Sequence, residues 1–172
     1  MSTKFFTNST GNTLFDKFKG IAADMINFDS FLAVVGFFRS SGYFKLRKEL
    51  GNVSEIKILV GINIDDIFRK HNKALLMLAD EDKAKEIYHN GFKEDIVNAQ
   101  YSPEVEEGIL QMCEDLVSGR LQMRIHATKN LHAKFYLCLP QNHSEHSDGW
   151  VIMGSSNISD SGLGIKQPPQ YE

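Results

Sequence analysis

The run Phe31-Leu32-Ala33-Val34-Val35-Gly36-Phe37-Phe38 constrains the fold more than any other stretch of this chain. It holds no charge and no hydrogen-bonding side chain, so neither face of a strand built from it can lie against water. Such runs arise inside parallel sheets covered by helices on both faces. Residues 131–139 form a second apolar run, interrupted by His132 and Lys134, and read as another covered strand. Glu55 to Ile62 alternates Ile56, Ile58 and Val60 against Lys57, Leu59 and Gly61, while Leu121 to His126 alternates more briefly. Trp150 to Gly154 reads as a return strand, and residues 4–7 as a short first one.

Helices fall between these strands. Leu14, Phe15, Phe18, Ile21, Ala22, Met25 and Ile26 recur at the helical period behind the turn and cap residues Gly11-Asn12-Thr13. A short helix is expected after Tyr43, ending at Leu50. From Asp65 to Gly119 the pattern is helical again, first through Ala74, Leu75, Leu78 and Ala79 to an Asn90-Gly91 stop. A later helix opens with Ser102 as cap and Pro103 at its first position, and Glu104, Glu106 and Glu107 sit in its positive-dipole turn. The expected architecture is one α/β domain over 1–172, a mixed, largely parallel sheet with helices on both faces.

Composition narrows the function classes. With 172 residues, 42% hydrophobic and 24% charged, the chain has the make-up of one ordinary globular domain. Its apolar runs are too short to cross a bilayer, and the N-terminus lacks a signal-peptide pattern, so no membrane association and a cytoplasmic location are expected. Two cysteines, Cys113 and Cys138, make no disulfide framework and read as reduced, buried thiols. A net charge of −3 excludes binding nucleic acid by overall charge but allows a local basic patch. The clusters Lys45-Leu46-Arg47-Lys48 and Arg69 to Lys73 read first as solvated faces.

Chemistry concentrates between His132 and Asn157. In a strand, positions i and i+2 share a face with Cα atoms roughly 6.6 Å apart, so His132 and Lys134 can touch one phosphate. Gly154-Ser155-Ser156-Asn157 follows the return strand, where a turn of small residues can offer backbone N–H groups, a hydroxyl and an amide to an anion. Arg39-Ser40-Ser41-Gly42 lies between the end of the central strand and a helix N-terminus. It reads equally as an anion site, with Arg39 and Ser41 as ligands, and as an ordinary strand-to-helix turn. His143, Glu145, His146 and Asp148 could hold zinc, but no Cys pair completes a four-ligand set, and a polar hairpin loop is the better reading.

The pairing of His132-Ala133-Lys134 with Gly154-Ser155-Ser156-Asn157 resembles the phospholipase D superfamily, which includes phospholipases, metal-independent nucleases and nuclease-like domains joined to helicases. Leu139 stands where the family places an Asp, and the Pro140 to Gly149 loop makes the gap between the two motifs longer than usual. The resemblance implies a phospholipase D-like fold and a phosphodiesterase, most simply a nuclease, that needs no metal or cofactor. One histidine attacks phosphorus to form a phosphohistidine and a second protonates the leaving oxygen. It implies catalytic roles for His132, Lys134, Ser155 and Asn157, with Glu172 in the place of a later acidic residue, and substrate contacts from Gly154 and Ser156. A single motif per chain implies a homodimer, with His126 the alternative second acid within one chain. The implied partner is nucleic acid, DNA before RNA. The chain reads as the N-terminal part of a longer helicase-like protein, and a catalytically silent nucleic-acid-binding or dimerisation module is the competing expectation.

Overall fold

The computed structural model describes residues 5–7, 9–25, 27–51, 53–64, 103–126 and 131–165. In these residues the chain forms helix α1 (Leu14–Asp24), strand β1 (Phe28–Phe38), helix α2 (Ser40–Glu49) and strand β2 (Glu55–Ile64). Helix α3 (Pro103–Val117), strands β3 (Leu121–Ile125), β4 (Phe135–Pro140) and β5 (Trp150–Met153), and the one-turn helix α4 (Asp160–Leu163) follow.

The strands make one mixed sheet in the order β3-β2-β1-β4-β5. The apolar run forms β1 and takes the centre, as expected of a segment with no face for water. It pairs parallel to β2, and β2 pairs parallel to β3. β4 runs antiparallel to both β1 and β5, so it alone points against the other described strands. The carboxyl ends of β1, β2, β3 and β5 therefore lie together at one edge of the sheet. This is the edge where α/β folds place ligands.

One face of the sheet carries the core. Phe31, Ala33 and Val35 alternate inward on β1 and join Ile56, Ile58, Val60, Leu121, Tyr136 and Cys138 in one buried cluster with residues of α1, α2 and α3. The Phe18 ring meets Phe31 and Tyr136 edge-on, with centroids 5.5 and 5.2 Å apart, a preferred aromatic geometry. A capping box starts α1: Asp16 N–H donates to Thr13 Oγ1 and Thr13 N–H to the Asp16 carboxylate. The Thr13 N–H bond, followed by a bond from the Thr13 hydroxyl to the same carboxylate at 2.8 Å, holds the Asp16 carboxyl below its usual range.

α2 and α3 are joined through a buried carboxylate. Tyr43 Oη donates to Asp115 at 2.8 Å, Arg47 pairs with the same group, and Arg120 reaches it at 3.3 Å. Arg47 thus belongs to a structural ion network and is not a solvated charge, because Asp115 comes from a helix distant in sequence. Burial pushes the Tyr43 phenol up, and the Asp115 charge adds to the shift, so the hydroxyl remains a donor.

The opposite face carries Leu32, Val34, Leu59, Phe135 and Leu137 around a shallow recess of about 450 Å³, flanked by Lys57 and Arg124. The helical stretch expected from Ala74 to Gly91, the Arg69 to Lys73 cluster and the Ser102 cap lie outside the described residues. Residues 5–7 do not form the expected strand. Thr7 N–H instead closes a turn onto the Asn12 carbonyl at 2.8 Å.

Candidate active site

His132 and Lys134 stand just before β4, not within it. The last ladder pair between β1 and β4 is Val34↔Phe135, beyond which the chain leaves the β4 line. Two glycines explain where it goes. Gly36 on β1 and Gly61 on β2 share the register parity of Val34 and Leu59, on the face away from the described helices. A Cβ on either would lie 2.9 Å from the Leu131 carbonyl oxygen. The Leu131–His132 backbone thus crosses directly over the two bare positions.

This path brings the two ionisable side chains together. Lys134 Nζ lies 2.9 Å from His132 Nδ1 and donates to the His132 carbonyl at 2.8 Å. Lys134 is only 6% exposed, whereas His132 is exposed. A buried ammonium is stable only with acceptors around it, and these contacts use two of its three donors. Because an ammonium carries no acceptor, Nδ1 must accept, and a neutral His132 ring bonded this way keeps its proton on Nε2.

Strand β5 delivers the second motif to the same edge. Gly154 N–H donates to the Lys134 carbonyl at 3.3 Å, tying the two segments backbone to backbone. His132, Lys134 and Gly154 line one open recess of about 460 Å³, with Val34, Phe135 and Met153 as its apolar wall. Gly154 and Ser155 are exposed, and Ser156 and Asn157 half-buried. Tyr136, buried in the core, donates its hydroxyl to the Ser156 carbonyl at 2.6 Å, and burial pushes that phenol up so the donor persists.

Asn157 serves the end of β1. Its Oδ1 accepts from Phe37 N–H at 3.0 Å, Ile158 bridges Phe38 in parallel, and Ile158 O accepts from Arg39 N–H at 2.8 Å. The segment after β5 therefore pairs with the last residues of β1 where β4 no longer reaches. Gly42 of α2 leaves room for it, since a Cβ there would meet the Ser159 backbone at 2.6 Å.

The expected residues separate into three positions. His132, Lys134 and Gly154 surround one recess. Ser155, Ser156 and Asn157 follow in the adjoining turn, with Asn157 bonded to β1 and not lining that recess. Arg39 is the N-cap residue of α2 and lays its guanidinium over the Phe37 ring at 4.3 Å, and Ser41 is exposed in the first turn of that helix; neither lines the recess. Glu172 lies outside the described residues. His126 directly follows β3 at the same sheet edge, its N–H donating to the Val60 carbonyl at 2.8 Å, next to Gly61. His143 and His146 are exposed in the β4–β5 loop, and among the described residues no group of three or more His, Cys, Asp and Glu is placed to hold a metal ion. No described helix is long and apolar enough to cross a membrane.

Sequence reasoning missed Gly36, Gly61 and Tyr136 as parts of this site. A glycine interrupting an apolar strand run is a signal of close backbone approach, and both glycines carry it. Neither a protein-family model nor a curated protein matches the chain.

Proposed function

We propose that the protein is a metal-independent phosphodiesterase of phospholipase D type, acting on nucleic acid, DNA before RNA, through a phosphohistidine at His132. The observation that carries this reading is the His132 Nδ1 to Lys134 Nζ contact of 2.9 Å beside the Gly154 turn, at the carboxyl edge of the sheet. An imidazole next to a buried cation, open to solvent on its other side, suits attack on an anionic phosphodiester. The cation lowers the cost of bringing the anion in and stabilises charge on the non-bridging oxygens. An incoming phosphate competes for the Lys134 ammonium. Once Nδ1 is released, the ring proton passes to it, and Nε2 presents its lone pair to phosphorus.

The second imidazole comes from a second copy of the chain. Of the two His-x-Lys segments, His132-Ala133-Lys134 stands beside the Gly-Ser-x-Asn turn, and His71-Asn72-Lys73 lies outside the described residues. β5, next to the recess, ends the described sheet with Trp150, Val151 and Met153 at 52, 55 and 71% exposure. Such an apolar edge favours an isologous contact about a two-fold axis near His132. On the same reading the domain acts in the cytoplasm in association with a helicase. Leu139 favours the second reading, a silent nucleic-acid-binding or dimerisation module: it pairs with Ser30 inside the sheet and brings no carboxylate where the family has one.

Cleavage of plasmid and oligonucleotide DNA in EDTA tests the proposal. It expects cleavage by the wild-type chain and none by His132→Ala. Activity that needs added Mg²⁺ or Zn²⁺ contradicts the mechanism, and binding without cleavage selects the silent module. Active monomers would place the second acid within one chain, with His126 the first residue to substitute.

A further inference from the structure

We propose that Gly36 and Gly61 are positioning residues for the His132–Lys134 pair, forming a seat two strands wide on which the Leu131–His132 backbone rests. The inference deepens the functional proposal and rests on its assignment of these two side chains as the reacting pair.

The closest contacts at the seat are with backbone, which cannot swing away as a side chain can. A Cβ at Gly36 would lie 2.9 Å from the Leu131 carbonyl oxygen, 3.5 Å from His132 Cα and 3.6 Å from Lys134 Nζ. A Cβ at Gly61 would lie 2.7 Å from the Gly36 carbonyl oxygen and 2.9 Å from the Leu131 oxygen. The nearest atoms are backbone, so rotamer changes give no relief: a side chain at Gly36 has to push the segment, and one at Gly61 has to push both the segment and the β1 backbone at Gly36. Lys134 then loses its placement as well, because its ammonium reaches both the ring and the carbonyl of His132.

At Gly61 the β1 backbone also leaves no room for a side chain, but at Gly36 the nearest atoms all belong to the Leu131–Lys134 segment. Glycine weakens a strand interior, and neither residue faces the helix-covered core, where small size would serve close packing. The β1–β2 ladder also changes register at this level, from Val35↔Val60 to Phe37↔Asn63, so β2 spends one extra residue beside the seat. Bulges of this kind re-aim a strand end, and they favour sites where function needs it. Gly20, on α1, serves as the contrast, because a Cβ there would meet nothing within 4 Å.

The test follows the histidine rings by NMR in the full chain labelled with ¹⁵N-histidine, with inorganic phosphate as the probe. Gly36→Ala and Gly61→Ala should each shift the His132 ring signals and weaken their response to phosphate, leaving the His143 and His146 signals in place. Gly20→Ala should leave all three unchanged. In cleavage assays both seat variants should lose turnover about 100-fold, the scale of a misplacement of about 1 Å, with KM much less affected. Wild-type His132 signals in folded Gly36→Ala and Gly61→Ala overturn the inference. Should neither variant fold, nuclear Overhauser contacts from Gly36 Hα to His132 in the wild-type protein decide the matter, and their absence overturns it. A wild-type chain whose rings ignore phosphate, yet shift in the seat variants, contradicts the phosphodiesterase reading and leaves the seat standing.

Discussion

Strand β4 has a histidine-bearing segment at each end, and the two differ in what surrounds them. Before β4, His132 contacts a buried lysine, sits over two glycines of the central strands and lies beside the Gly154 turn. After β4, His143 bonds Ser147 at 2.9 Å, and His146 meets Glu145 at 3.3 Å with both side chains more than four-fifths exposed. Exposure does not separate these histidines, since all three are exposed. Partners do. The loop contacts lie in exposed surroundings and are screened by water, so each stabilises little. The His132 contacts depend on three strands and a buried ammonium, which only the whole fold can hold in place.

The widest gap between the two ends should be catalytic. His132→Ala should lower the cleavage rate by ~10⁴-fold or more, the scale of losing a nucleophile, while His143→Ala and His146→Ala leave it unchanged. A comparable loss from a loop histidine would erase the distinction between the two ends. Next comes Lys134→Met, which keeps the shape but removes the buried charge. Its kcat should fall by about 10²–10³-fold, the scale of removing one preorganised charge-stabilising donor, with no dependence on added metal.

Stability effects are smaller. Tyr136→Phe removes the 2.6 Å bond to the Ser156 carbonyl. It should cost about 1 kcal/mol, or about 2–4 °C in Tm for a chain of this size, by thermal unfolding. Ser147→Ala at the other end should change stability by less than about 0.5 kcal/mol, as expected for an exposed local bond. Between the two ends lies Cys138, whose thiol burial pushes up to about 12, as it does Cys113. A raised thiol pKa leaves the neutral form dominant below that value. Neither cysteine should react with iodoacetamide at pH 8 until the chain unfolds, and mass spectrometry of the native protein should show no adduct.

Local patterns disclosed most of the scaffold. The apolar run became the central strand, Ile56, Ile58 and Val60 pointed inward on β2 as their alternation required, and Thr13 capped α1. Periodicity could not show which side chains meet across long separations. Asn157 bonds the β1 backbone 120 residues away, and Asp115 is buried with Tyr43 and Arg47, although a carboxylate in a charged helix reads locally as solvated. The same limit applies to His132 and Lys134. Their i and i+2 spacing suggested a shared face of one strand, whereas the structure joins them in a segment that has left the strand to cross over Gly36 and Gly61. The apolar residues around them extend the strand pattern, and only the packing of β1 and β2 ends it at Phe135.

The proposed chemistry turns on a covalent bond between His132 and phosphorus, and trapping that bond is its sharpest test. Rapid acid-free quenching during turnover of an oligonucleotide in EDTA, followed by peptide mass spectrometry at alkaline pH, should find a nucleotidyl adduct on the peptide containing His132. That adduct should be acid-labile and should be absent in His132→Ala. Turnover with no adduct at any time point, or an adduct on another residue, would overturn the phosphohistidine mechanism.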